Sequence, residues 1–506
     1  ALAPYAAYDV PKPTECEEIQ TVDVDVEAEW SDAATKARLA LAEAHVRRLV
    51  GDRAGELEQL TEGLAALEGL DAPRLRARLM TTQATALYFD GRKEEGATAR
   101  KLAREEAARS RDARLQADLS LGRVADVGDY DDGQADLQEH LLEAAEIDVI
   151  RAGEPPDQVL RLEELRGVIA LDRGDLDEAA RHLDAAVERA RTMDIPTRRL
   201  TGILNKRSAV RQRRADYAGA IEDLREAVSL TVQAYGNSHP SLETFRTNLA
   251  TMSMFVGDGE TARREATAVR DQLDALGQTK SRSRAYSAAS LANIEWLFGD
   301  PKLAEAHIAE CLAVLDALEQ SDDSLAAECL TLSAQIHGDR GDFARALEDA
   351  QRADRIFTTV YGDNEVMATN GRYAVASALA GLGRSEDAEA LLRELLAIRE
   401  RHLGPEHPRV ATTLARLADL LHDRGDDAAA WPLAQRAITI YEHEDEIAAT
   451  EGEAMLLAAE ILGALGTDDT KAVEIARAAI ATLESAGPNG VDALAEARKW
   501  LAARGG

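Results

Sequence analysis

One interval governs this chain. Gly51, Gly91, Gly128, Gly174, Gly257, Gly299, Gly341, Gly383, Gly425 and Gly466, with Ala215 standing in a glycine slot, mark turns that recur about every 42 residues. From Gly174 onward the spacing is 41 or 42 residues; ahead of it the intervals are 40, 37 and 46. A fixed period of this length is the signature of stacked helical hairpins, each of which buries its apolar face only against its neighbours. A 506-residue chain would otherwise be divided into several globular domains. A solenoid instead grows by addition and needs no new core. The expected fold is therefore all-α: a right-handed α-solenoid (superhelix) of about eleven helical hairpins. A short N-terminal arm occupies 1–32, the solenoid 33–485 and a C-terminal capping helix 486–506, the last carrying Trp500.

Local chemistry supports the period. Residues 408–424 place Val410, Leu414, Leu417 and Leu421 on one helical face. Arg424-Gly425-Asp426 then ends the helix, with glycine past the end and aspartate able to cap the next start. Residues 427–442 read as the second helix. Seven residues before the turn signal stands a small residue: Ala44, Ala84, Gly167, Ser208, Ala250, Ala292, Ala334, Ala376, Ala418 and Ala459. Five residues after it come Ala179, Ala220, Ala262, Ala304, Ala346, Ala388 and Ala430. Both slots fit the crossing of paired helices, where a larger side chain would force the axes apart. Only 4% of residues are aromatic, so the core must be alanine and leucine. The unit at Gly128 breaks the phase, and Pro155-Pro156 follows it; a distorted hairpin or inserted loop is expected near 145–158. Within the arm, Thr21-Val22-Asp23-Val24-Asp25-Val26 alternates like a short strand.

The net charge of −33 argues against nucleic acid, whose phosphates require Lys and Arg, and against an anionic membrane surface. Three cysteines, Cys16, Cys311 and Cys329, make neither a disulfide nor a zinc framework. Cys311 and Cys329 are expected as buried free thiols, and the architecture allows them to be neighbours. No apolar run is long enough to span a bilayer. The chain does not begin with Met, so Ala1 is expected to be the start of an excised segment, a domain or a trimmed product.

No phosphate-binding loop, metalloprotease helix, nucleophile elbow or kinase signature set occurs, so the chain reads as non-enzymatic, without cofactor or metal. His402 and His407 are read as loop and helix-start residues rather than a metal pair. Asp129, Asp131 and Asp132 lack the glutamate that closes a calcium loop. Arg-Gly-Asp occurs at 173–175, 340–342 and 424–426, each time in the turn phase, which points to a structural role rather than an adhesion signal.

The pattern resembles the tetratricopeptide repeat (TPR) in the longer form found in kinesin light chains. The resemblance runs over roughly residues 33–485. It is carried by Gly404-Pro405-Glu406-His407-Pro408, by Tyr235-Gly236-Asn237-Ser238-His239-Pro240, by Tyr361-Gly362-Asp363-Asn364-Glu365 and by Pro432 inside a helix. It implies a concave groove, lined by the first helix of each pair, that takes a peptide or partner protein. Family groove positions fall nine, ten, six and thirteen residues before the turn signal. They give Asn205, Lys206, Asn248 and Arg416, then Thr251, Asn293 and Gln335, then Thr244, Tyr286 and Asn370, with Tyr373 at the ten-residue slot. Ala374, Leu165 and Leu332 stand where the family often places asparagine, so the full kinesin-light-chain code is absent. Arg207 and Arg211 share a helix face within an arginine-rich stretch, 189–214, which offers either a seat for an acidic ligand or internal neutralisation by nearby acids.

Two functions follow. One is a non-catalytic protein–protein interaction scaffold. The other is a sensor or regulatory region of a larger serine/threonine kinase whose catalytic domain lies upstream. The chain also resembles the C-terminal repeat region of myxobacterial kinases of that type, through Thr14-Glu15-Cys16-Glu17-Glu18-Ile19 and Asp71-Ala72-Pro73-Arg74-Leu75-Arg76-Ala77-Arg78. The expected location is the cytoplasm, or the periplasm if the repeats belong to a membrane-spanning kinase.

Overall fold

A computed structural model of the chain describes residues 31–49, 52–130, 135–362, 366–441, 448–485 and 490–504. Within them the chain is helix after helix, with no strand. The helices are α1 (Asp32–Leu49), α2 (Arg53–Ala66), α3 (Pro73–Phe89), α4 (Lys93–Ser110), α5 (Ala113–Tyr130), α6 (Ala135–Arg151), α7 (Pro156–Asp172), α8 (Leu176–Thr192), α9 (Thr197–Arg213), α10 (Tyr217–Tyr235), α11 (Ser241–Phe255) and α12 (Gly259–Ala275). They continue with α13 (Arg282–Phe298), α14 (Pro301–Ala317), α15 (Ser324–Asp339), α16 (Phe343–Tyr361), α17 (Thr369–Gly381), α18 (Ser385–Leu403), α19 (Pro408–Asp423), α20 (Asp427–Tyr441), α21 (Ala448–Leu465), α22 (Asp469–Ser485) and α23 (Val491–Ala502). Helices pack as hairpins, and first helices also touch those of neighbouring pairs, as α15 touches both α13 and α17. This is the all-α solenoid that the period predicts. The arm, its strand-like stretch and Cys16 lie outside the described residues.

The chain forms two compact units, one ending at Phe245 and the other beginning at Arg246, so the division falls within α11. In the first unit, Leu160, Leu183, Ile203 and Leu204 are wholly buried in a shared core. In the second, one cluster joins Ala285, Ala292, Ile308, Leu315 and Phe357, and another joins Ala376, Leu392, Leu417 and Ile461.

The repeat's turn explains its glycine. After α7, the N–H of Asp175 donates to the carbonyl of Ala170 at 2.9 Å and that of Gly174 to Leu171 at 3.0 Å. That paired closure requires a left-handed residue, and Gly174 has φ +79°. Ala215 takes the same conformation at φ +57°, as its place in a glycine slot demands. The aspartate that follows caps the next helix: Asp175 accepts from the N–H of Glu178, Asp216 from Gly219, Asp258 from Thr261 and Asp342 from Arg345. Gly299 keeps the phase by another route. Its φ is −139°, and a Cβ there would come within 1.9 Å of a Glu295 carboxylate oxygen.

Each Arg-Gly-Asp is consumed by this turn. Arg173 pairs with Glu139, Arg340 with Glu305 and Arg424 with Glu389 of the preceding second helix, while the aspartates cap. The small-residue slots are the helix crossings: Ala44, Ala84, Ala292, Ala376, Ala418 and Ala459 are fully buried, as are Ala179, Ala220, Ala262, Ala304, Ala388 and Ala430.

The third unit differs from the sequence expectation. Helix α5 runs through Gly128 to Tyr130, so Gly128 lies inside a helix and not in a turn. The expected inserted loop near 145–158 is not formed. Residues 145–151 belong to α6, Gly153 and Glu154 close the helix at φ +82° and +54°, and Pro155 and Pro156 open α7. Proline is tolerated there because the first N–H groups of a helix have no intrahelical acceptor.

Candidate functional site

The second unit contains a cavity of about 400 Å³ built on the first helices of three successive pairs. Helix α13 contributes Tyr286, Ser290 and Asn293, which recur at helical spacing on one face. Helix α15 contributes Glu328, Thr331, Leu332 and Gln335, and α17 contributes Asn370 and Tyr373. The floor comes from second helices: Phe357 of α16 and Arg399 of α18. Five residues placed in the groove from the sequence (Tyr286, Asn293, Gln335, Asn370 and Tyr373) therefore meet around one space.

The lining is graded. Tyr286 is 52% exposed, and Gln335 and Glu328 are exposed as well. Asn293, Asn370 and Tyr373 are half-buried, whereas Phe357 and Arg399 are buried. The Arg399 guanidinium lies 5.5 Å from the centre of the Tyr373 ring, a cation–π arrangement. Burial raises the Tyr373 phenol above its ordinary value and lowers Arg399 to about 10. Cys329 also lines the space, and its sulfur faces that of Cys311; both thiols are free and buried. Contact with Cys311, and then burial, push the Cys329 thiol well up, so it stays protonated at neutral pH.

The remaining sequence-derived positions stand elsewhere. Asn248 and Thr251, on α11, and Arg416, on α19, belong to the second unit but do not line the cavity. The Arg416 guanidinium is bound to Asp419 at 2.5 Å. Thr244, exposed, and Asn205, half-buried, belong to the first unit.

Five cations of the arginine-rich stretch are paired with acids within the chain. Arg207 is buried and donates to both carboxylate oxygens of buried Asp223, at 2.9 and 2.5 Å, and to Asp184 at 3.1 Å. Burial opposes its charge, yet these partners outweigh it and raise its pKa. Arg211 reaches Asp223 at 3.1 Å and the carbonyl of Gly219 at 2.8 Å. Lys206 pairs with Glu164, Arg214 with Asp177 and Arg191 with Glu226. Of the two sequence readings of this face, the geometry favours neutralisation. The helix-face count alone did not reveal it, because Asp223 approaches from the following helix.

Both charged lining residues were missed by sequence reasoning. Glu328 falls thirteen residues before Gly341, so its slot was already marked. Arg399 lies on a second helix, where no groove position was sought. Among the described residues no group of histidine, cysteine and carboxylate side chains could hold a metal ion, and no helix is long and apolar enough to cross a membrane.

The repeat class that this geometry defines is matched by comparison. Models of the tetratricopeptide repeat match residues 366–443 and residues 202–241, so the chain carries tetratricopeptide repeats. Among solved structures it is similar to the apo form of the quorum sensor NprR from B. thuringiensis, at 13% identity, over 72% of this chain and 97% of that one, with a TM-score of 0.50. It is also similar to a signal transduction ATPase with numerous domains and a tetratricopeptide repeat sensor from Pyrococcus horikoshii, at 14% identity, over 85% of this chain and 65% of that one, with a TM-score of 0.50. BtubC (BKLC) from P. vanneervenii matches at 19% identity over 50% of this chain and 92% of that one, with a TM-score of 0.37. At these identities the likenesses concern the fold. No curated protein matches the chain.

Proposed function

We propose that this chain is a non-catalytic interaction scaffold whose second unit binds a peptide, or an extended segment of a partner protein, in the cavity of α13, α15 and α17. The observation that carries the reading is the convergence of Asn293, Gln335 and Asn370, with Tyr286 and Tyr373, from three successive first helices. Side-chain amides offer both donors and acceptors, as a peptide backbone requires, and tyrosine supplies a rigid apolar anchor with a polar tip. A space of about 400 Å³ suits a few residues rather than a folded domain. The likeness to a quorum sensor and to a repeat sensor supports a role in recognition.

The test is affinity selection from a random library of N-acetylated tetrapeptides, read by mass spectrometry. The parent protein should retain a defined subset. Asn293→Ala, Gln335→Ala and Asn370→Ala together should weaken retention roughly ten- to a thousandfold, at about 0.5–1.5 kcal/mol for each lost hydrogen bond. A parent that retains nothing, or a triple variant that retains the same peptides equally, refutes the proposal.

A second reading makes these repeats the sensor portion of a larger signalling protein, a kinase by the resemblance noted above. The Pyrococcus horikoshii structure favours it, because there a tetratricopeptide repeat sensor accompanies an ATPase. An antibody against the repeats, used on source cells, tests it: the reading requires a band well above 54.6 kDa, and a band at that mass overturns it.

A further inference from the structure

Arg399 occupies a position that the repeat otherwise gives to its core. Sixteen residues after successive turn signals stand Ala190, Thr231, Leu273, Leu315, Phe357, Arg399 and Tyr441, all at 4% exposure or less. Only one of them is charged. A buried guanidinium is costly unless it is paired, and a chain built on a repeat has leucine or phenylalanine available for this slot.

The pairing it receives within the chain is incomplete. Its Nε donates to Thr369 Oγ1 at 3.1 Å, and one Nη donates to the Arg409 carbonyl at 3.1 Å and to Thr413 Oγ1 at 2.9 Å. These acceptors are uncharged. Both threonine hydroxyls also donate to a nearby backbone carbonyl, Thr369 to Val366 and Thr413 to Arg409. Of the four other buried arginines, three have carboxylates: Arg207 has Asp223, Arg246 has Glu265 at 3.8 Å, and Arg372 has Asp354 at 3.7 Å and Glu394 at 3.5 Å, while Arg100 donates to Thr85 Oγ1 at 3.2 Å. Among the described residues no carboxylate lies within 4 Å of Arg399, and its second terminal nitrogen makes no hydrogen bond. In a protein of net charge −33, acids are plentiful, yet none is brought to this guanidinium. It also forms part of the cavity wall, beneath Tyr373.

We propose that Arg399 receives the carboxylate of a peptide bound in this cavity, whether the peptide's C-terminus or an aspartate or glutamate side chain. The inference rests on the reading of the cavity as a peptide site. The guanidinium fork fits a carboxylate, and a charge-assisted bond in a partly dry space is stronger than a neutral one. Glu328 lines the same cavity, exposed and without an ion pair among the described residues. Its charge opposes a second anionic group, so the site suits a single carboxylate rather than a polyanion.

The probe is the N-acetylated tetrapeptide library in two forms, one with free C-terminal acids and one amidated. Four outcomes are informative for the parent protein. Enrichment of free acids over their amides by about 10- to 100-fold supports recognition of a C-terminus. Equal retention of both forms, with aspartate or glutamate enriched at one position, supports recognition of a side chain. Retention without preference for any carboxylate overturns this inference but leaves the peptide site standing, whereas retention of nothing overturns both. Arg399→Leu supplies the residue that two earlier repeats carry at this slot, Leu273 and Leu315, so the fold should hold, and the carboxylate preference should vanish while neutral peptides are still retained. Arg399→Lys should keep part of the preference. A preference unchanged in Arg399→Leu refutes the assignment.

Discussion

Replacing Arg207 by methionine should loosen the α9–α10 hairpin rather than remove a ligand contact. Arg207 and Arg211 share the buried carboxylate of Asp223, which is 1% exposed. Arg207 supplies the bidentate pair, at 2.9 and 2.5 Å, and reaches back to Asp184 on α8. Deleting one partner of a buried pair costs about 3–5 kcal/mol, because the remaining charge is stranded away from water. Arg211 stays within 3.1 Å of Asp223, which places Arg207→Met near the lower end, about 3 kcal/mol. Hydrogen exchange followed by mass spectrometry suits a repeat array, which need not unfold in one step. Amides of 197–235 should exchange about a hundredfold faster, since each 1.4 kcal/mol is a factor of ten. Adding Asp223→Leu removes the stranded charge, and the double variant should return to within about 1 kcal/mol of the parent. Acceleration of less than threefold in Arg207→Met, or a double variant no better than the single one, would show that the pair is not what holds these helices. The same geometry means that charge reversal at Arg207 and Arg211 cannot report cleanly on ligand binding.

Acid should act in opposite directions on two parts of the second unit. The hydrogen bond from Arg263, working against burial, holds Glu295 below its ordinary carboxylate value, so its contribution is present above the unfolded value and is lost as pH falls through the lower folded one. Burial, ahead of all other causes, raises Asp419 and Glu460, whose contributions are present at low pH and lost as pH rises through their folded values. On going from pH 6 to pH 4, exchange corrected for its intrinsic rate should therefore accelerate over 259–300 relative to 408–465, and Glu295→Gln should remove the acceleration; a uniform response refutes the assignment. Ala334→Trp, in a slot packed by Ala346, Ala350, Ala374 and Ala378, should cost about 1–3 kcal/mol or more and lower the melting temperature, while Glu319→Gln at an exposed loop should leave it unchanged; equal melting would mean that the slot is not a crossing point.

What was legible in the sequence is what repetition makes redundant. The turn is written as glycine followed by aspartate, and the crossing as alanine at two fixed distances, so a single defect such as Ala215 does not hide the pattern. At Gly128 the pattern misled, because a glycine inside α5 stood near the expected interval, and the helix simply ran through it. The first-helix residues of the cavity were legible for the same reason of phase: Tyr286 and Asn370 share one slot, and Asn293 and Gln335 share another. Charge was not legible in this way. Arg207 and Arg399 each stand among other arginines on their helix, and neither helix by itself states what its buried arginine meets. The first meets a buried aspartate sixteen residues later, and the second meets two threonines, a carbonyl and an aromatic face. The difference lies in what adjoining helices bring to the guanidinium, which a period cannot state. A period does state which residue belongs in a slot. Against the leucines and aromatics of its register, Arg399 is a departure that packing does not need, and a departure of that kind is where recognition is most economically sought.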